Sequence, residues 1–217
     1  MHTDKDIRTF VIDELEWQPG LSSRDIAVSV DKGVVSLTGF VTSYTSKYDA
    51  EEATKRVAGV RGIANDLEVR IPDIDARPDP DIARDIVSAL SLHLPLHAKH
   101  LTTTVKNGWV TLEGEVEWDF ERRSAEHSAH AVRGVVGISN LITVRPRANA
   151  SDIKGKIEAA FKRNAEVDGA RVKVSASGGA VTLTGEVSSW NERDEAERVA
   201  WLAPGVVSID DRLVVNP

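Results

Sequence analysis

An internal repeat constrains this chain more than any other feature. Three segments, Gly33-Val34-Val35-Ser36-Leu37-Thr38-Gly39, Gly108-Trp109-Val110-Thr111-Leu112-Glu113-Gly114 and Gly179-Ala180-Val181-Thr182-Leu183-Thr184-Gly185, follow one another at offsets of 75 (33 to 108) and 71 (108 to 179) residues. The same offsets, without gaps, align Ile7 with Ile82 and Ile153, Leu15 with Leu90 and Phe161, and Ala50 with Ala125 and Ala196. They also align Gly59-Val60 with Gly134-Val135 and Gly205-Val206, and Asn65 with Asn140 and Asp211. An offset held from the first apolar stripe to the last marks duplication. The 217 residues therefore read as three small domains, at 1–73, 79–147 and 151–217. Short proline-containing joints at 72–80 and 146–150 separate them and are expected to be stiff.

Within each copy the apolar period changes from helical to alternating and back. Ile7, Phe10, Val11 and Leu15 recur at helical spacing, as do Ile82, Ile86, Ala89 and Leu90, and Ile153, Ile157 and Phe161. Asp79 before Pro80, and Ser151 or Asp152, are expected to cap the second and third of these helices. Alternation follows at Ile26, Val28 and Val30, and at Leu101, Thr103 and Val105. A turn at Asp31-Lys32-Gly33, Lys106-Asn107-Gly108 or Ser177-Gly178-Gly179 predicts a hairpin, most plainly at Asn107-Gly108. Val35, Leu37, Gly39 and Val41 then share one strand face. Gly39, Gly114 and Gly185 on that face suggest close approach of a helix to the sheet. A second helix with small inward residues (Ala50, Ala53 and Val57; Ala125, Ser128 and Val132) is expected to end near Gly59, Gly134 or Gly205. A last strand through Leu67 and Val69, Ile142 and Val144, or Leu213 and Val215 closes the unit. Both helices would lie on one sheet face.

Composition narrows the function classes. Without cysteine there is no disulfide, thiolate metal site or cysteine nucleophile. A net charge of −7 argues against non-specific nucleic-acid binding, which needs clustered Lys and Arg. No stretch approaches the ~20 apolar residues of a membrane span. Residues 1–7 have no basic and apolar leader, so a cytoplasmic protein is expected, or a periplasmic one if a leader has been removed.

The run Gly-Val-Val-x-Leu-x-Gly-x-Val, followed by a helix and Gly-Val-x-x-Val/Ile-x-Asn, resembles the BON domain. Gly33–Val41 with Gly59–Asn65 carry it in the first copy, Gly108–Val116 with Gly134–Asn140 in the second, and Gly179–Val187 with Gly205–Asp211 in the third. The resemblance implies an αββαβ fold with a mixed three-stranded sheet. It also implies association with osmotic protection, envelope maintenance or phospholipid, in a family whose members are often periplasmic and include a cytoplasmic potassium-binding protein. The expected class is thus α+β: three tandem αββαβ modules, each a small mixed three-stranded sheet with two helices on one face. The signature glycines are Gly33, Gly39, Gly59, Gly108, Gly114, Gly134, Gly179, Gly185 and Gly205.

Candidate sites come from what does not repeat. His93, His97, His100, His127 and His130 all fall in the second copy. His127 and His130 are the candidate metal ligands, set against a simple histidine-rich surface. They align with Glu52 and Lys55, which read as solvated helix positions. Trp118 and Trp190, before the second helices, are candidate anchors for lipid or a partner, or else intramolecular packing. Formal charge is −5 over residues 1–75, 0 over 76–147 and −2 over 148–217, so the second copy suits an anionic surface best, with Arg122, Arg123, Arg133, Arg145 and Arg147 available. The Gly59-Val60-Arg61-Gly62 turn resembles an RNA-clamping GxxG loop, but a tight helix-to-strand turn fits it better. No nucleophile elbow, zinc-protease motif or phosphate loop occurs. The reading is a non-enzymatic, cofactor-free, stress-associated binding or scaffold protein with an unknown protein or lipid partner and no nucleic acid, its three repeats packing on each other. The alternatives are a phospholipid- or envelope-interacting protein acting through repeat 2, and a cytoplasmic ion or small-ligand sensor.

Overall fold

The structure, a computed structural model, describes residues 2–95, 98–145 and 152–216. Module 1 runs α1 (Asp4–Trp17), β1 (Ile26–Asp31), β2 (Val34–Val41), α2 (Tyr44–Lys55) and β3 (Gly62–Val69). Module 2 runs α3 (Asp79–His93), β4 (Leu101–Lys106), β5 (Trp109–Val116), α4 (Asp119–His130) and β6 (Gly137–Val144). Module 3 runs α5 (Ile153–Phe161), β7 (Val172–Ser177), β8 (Ala180–Val187), α6 (Trp190–Trp201) and β9 (Ser208–Val215). Each module has its own three-stranded sheet with the hairpin's second strand in the centre. β4 pairs antiparallel with β5, and β6 parallel with β5; β7, β8 and β9 repeat this arrangement.

The predicted stripes form the cores. Ile7, Val11 and Leu15 are buried on α1, Ile82, Ile86 and Leu90 on α3, and Ile153, Ile157 and Phe161 on α5. Phe10 departs from the stripe and is exposed. The helices meet alternating strand positions such as Val35, Leu37 and Val41, or Val110, Leu112 and Val116. Ala50 and Ala53, or Ala125 and Ser128, let the second helix lie close to the sheet. In modules 2 and 3 the opposite face is exposed and mostly polar, at Glu113 and Thr143 or at Asp210 and Arg212, with Trp109, Leu141 and Val214 as apolar exceptions.

Three local expectations change. Asp79 does not cap its own helix: its carboxylate accepts from Asn107 N at 2.8 Å and Gly108 N at 2.9 Å, clamping the hairpin turn to the helix start. Asp4, at the same offset, clamps Lys32 N and Gly33 N at 2.8 and 2.9 Å. The turn needs this because Asn107 and Gly108 both have positive φ, 52° and 74°, leaving their amides pointing outward. Second, the glycine beneath a helix is Gly134, where a Cβ would press on Ile82 Cδ1 at 2.7 Å. Gly114 instead lies against the backbone carbonyl of His100, at φ 132°. Third, the second helices stop at Lys55, His130 and Trp201, before the turns that carry Gly59, Gly134 and Gly205. Those turns are hydrogen-bonded to the hairpins, Val136 N to Gly108 O at 3.0 Å and Val207 N to Gly179 O at 2.9 Å.

The first joint is held down. Asp73–Asp75 forms a short 3-10 turn, Asp75 pairs with Arg133, and Arg77 pairs with Asp85 at 2.6 Å. The joint at 146–150, and the Ser151 cap, lie outside the described residues; Asp152 caps α5 through Gly155 N at 3.0 Å. The chain divides into two compact units. One holds the described residues of 1–38, 50–66 and 146–217, the other those of 39–49 and 67–145. Module 1 thus contributes to both.

Candidate functional site

The histidines of module 2 do different jobs. His97 lies outside the described residues. His93, at the end of α3, places Nδ1 2.9 Å from Ser128 Oγ on α4, joining the two helices. His100 is exposed before β4. The rings of His127 and His130 meet edge-on at 4.7 Å, and the Tyr48 ring lies 4.9 Å from that of His130. Thr45 Oγ1 donates to the His130 carbonyl at 3.0 Å. Both ring nitrogens of His130 are sheltered without a hydrogen-bond partner. Burial, then the neighbouring His127 charge, push its pKa below the ordinary histidine value. His130 is therefore not the solvated position that alignment with Lys55 suggests: the Thr45–Tyr48 turn of α2 covers it. Among the described residues, no three His, Asp or Glu side chains are grouped to hold a metal ion.

Arg122 and Arg123 are tied to one carboxylate. Each Nε donates to an oxygen of Asp119 at 2.7 Å, and Asp119 is only 4% exposed. The pair neutralises a buried charge in the first turn of α4, where a carboxylate also suits the helix dipole. Trp118, half-buried, precedes that turn; its backbone N and that of Glu117 donate to buried Glu121 at 3.0 and 3.1 Å. Module 3 uses Glu192 in the same way, accepting from Ser188 N, Ser188 Oγ and Asp168 N at 2.7, 2.7 and 2.9 Å. Burial alone would raise the Glu192 pKa, but these bonds hold it below the usual value.

Trp190 opens onto a cavity. Within the first unit, module 1 and module 3 enclose about 540 Å³ between the α1 start, the β1–β2 turn, the end of α2 and the β8–α6 junction. Ile7, Val57 and Val60 supply apolar lining. Arg61 Nη2 reaches across to Asn216 Oδ1 at 3.4 Å. The Arg193 guanidinium sits 5.0 Å over the Trp190 ring, and the indole Nε1 is sheltered with no partner. Of the lining groups, the sequence marks only Trp190 as a candidate anchor; Gly33 and Gly59 are signature glycines, and Arg61 stands in the Gly59–Gly62 turn. Lys32, Arg61 and Asn216 sit in turns and at a strand end, where no local pattern marks them; the sole hint is that Arg61 aligns with Val136 and Val207 and so is not part of the repeated core.

The BON domain model matches residues 3–71, 78–146 and 149–217, nearly the whole chain. The chain belongs to the BON domain family. This BON protein is 30% identical over 128 residues to the osmotically-inducible protein Y of Escherichia coli (strain K12), an alignment covering 55% of this chain and 62% of that relative. It therefore spans less than two thirds of the relative's length. Among solved structures, CdsD, a structural protein of the type III secretion system of Chlamydia trachomatis, matches at 13% identity over 98% of this chain and 93% of that one, with a TM-score of 0.28. Its C-terminal domain gives the same identity and score over 100% of both chains. Likeness at that score carries no inference about this BON protein.

Proposed function

We propose that this protein is a non-enzymatic, osmotic-stress-associated binding or scaffold protein that presents three BON modules to a protein partner. The observation behind this reading is a threefold family match combined with 30% identity to an osmotically inducible relative. The geometry supports it through contrast between shared cores and divergent surfaces. The aligned, exposed positions Val34, Trp109 and Ala180 open their central strands with three different side chains. Recognition then resides in the side chains that differ. Deleting the gene and challenging cells with high osmolarity tests the reading: impaired recovery, restored by the intact protein, is expected. Normal recovery together with unchanged protein level on osmotic upshift would overturn it.

The lipid alternative has a weaker footing, because Arg122 and Arg123 already serve Asp119. Pelleting with anionic vesicles at low salt, lost on Arg133→Gln with Arg145→Gln, would favour that alternative. Among the described residues no helix is long and apolar enough to cross a membrane. The cytoplasmic location expected from the sequence belongs to the same proposal; recovery in the periplasmic fraction would overturn it.

A further inference from the structure

Among the described residues, Asp4 is the one carboxylate that lines the cavity of the first unit, against Lys32, Lys55, Arg56 and Arg61. Its two oxygens are occupied by Lys32 N and Gly33 N at 2.8 and 2.9 Å. Lys55 pairs with Glu52 at 2.8 Å and Arg56 with Glu14 at 2.9 Å, so neither is available. The side chains of Lys32 and Arg61 have no carboxylate partner among the described residues, and Arg61 makes only the long bond to Asn216. Two cations beside an apolar wall of Ile7, Val57 and Val60, with Trp190 at its edge, complement an anion with acceptor oxygens and an apolar body.

Two further observations point to a ligand rather than to scaffold. The volume, about 540 Å³, falls within the roughly 300–1,000 Å³ of small-molecule sites. The set also does not repeat. The positions aligned with Arg61 are Val136 and Val207, those aligned with Lys32 are Asn107 and Gly178, and those aligned with Trp190 are Tyr44 and Asp119. The fold of the module needs none of the three.

We propose that the cleft between modules 1 and 3 binds a small organic anion, its carboxylate or phosphate head on Arg61 and Lys32 and its flat apolar body against Trp190, Val57 and Ile7. The planar guanidinium fork of Arg61 suits either head group, and the Trp190 indole offers the body a flat apolar wall. This site is independent of the osmotic-stress reading: it concerns the purified protein and survives or falls on binding alone.

Isothermal titration of the full chain with four probes tests it: naphthoate, naphthyl phosphate, naphthol and inorganic phosphate. One naphthoate or naphthyl phosphate per chain is expected to bind at least tenfold more tightly than naphthol or inorganic phosphate, the tighter of the two naming the head group. Arg61→Gln is expected to weaken that binding by about tenfold or more, as loss of a charge-assisted bond does. Trp190→Ala, which removes the flat wall, weakens it as well. Arg145→Gln, in the other unit, leaves it unchanged. Arg61 is exposed, so circular dichroism of Arg61→Gln should match the parent and exclude misfolding. Absence of saturable binding by both anions overturns the proposal. So does equal binding of naphthol or of bare phosphate, or an unchanged affinity in Arg61→Gln.

Discussion

Thr103 occupies the inward position that is Val28 in module 1 and Val174 in module 3, where the valines are 7% and 5% exposed. Its Oγ1 is buried without a partner. Thr103→Val keeps the shape and removes the unsatisfied hydroxyl, so it is expected to stabilise module 2 by about 1 kcal/mol, read from urea denaturation; a lower midpoint would show that the hydroxyl has a role. His130 gives a second residue-scale prediction. Its folded pKa is depressed by burial and by His127, against the raising charges of Asp49 and Glu126. As pH falls through about 6.5, the unfolded chain takes up the proton first. The stability that neutral His130 contributes is therefore complete above that pH and drains away as pH falls toward the folded pKa. The melting temperature should drop more between about pH 7.5 and 5.5 in the native protein than in His130→Phe, which keeps a ring beside Tyr48 but does not titrate. Equal slopes would refute it.

At the scale of elements, what was legible follows from local sterics. The Asn107-Gly108 pair announced its hairpin because both residues tolerate positive φ, and the helical stripes announced their buried faces. The reason for Gly114 was not legible, because the colliding atom belongs to His100, in another segment. Gly114→Ala would combine an unfavourable φ of 132° with a clash against the His100 carbonyl and should cost about 3 kcal/mol or more. Gly178→Ala has a φ of 57° and nothing within 4 Å, so a cost of about 1 kcal/mol is expected. Thermal denaturation of the two variants side by side checks the ordering; similar losses would mean that φ alone matters. Likewise Asp79 read locally as a cap, yet its carboxylate serves a turn almost thirty residues downstream.

For the molecule as a whole, the question is how far three small modules depend on one another. A domain of this size buries little of its surface, and module 1 is shared between the two compact units. Tyr48 and Thr45 cover His130, while Arg61 reaches Asn216. Residues 79–147 expressed alone should therefore melt at a lower temperature than the same module in the full chain. An isolated module as stable as the whole would show that each copy folds independently. The sequence by itself determined the repeat, the order of elements and the family, because periodicity, turn chemistry and module-length offsets act along the chain. Arg122 and Arg123 lie within i,i+3 and i,i+4 reach of Asp119 along one helix, a local pairing. Only the tertiary structure decided that Asp119 is buried, that His130 is covered, and that Lys32, Arg61 and Trp190 face one cavity. The cavity depends on residues up to 158 positions apart (32 to 190) being brought together by packing, and no local pattern encodes such a meeting.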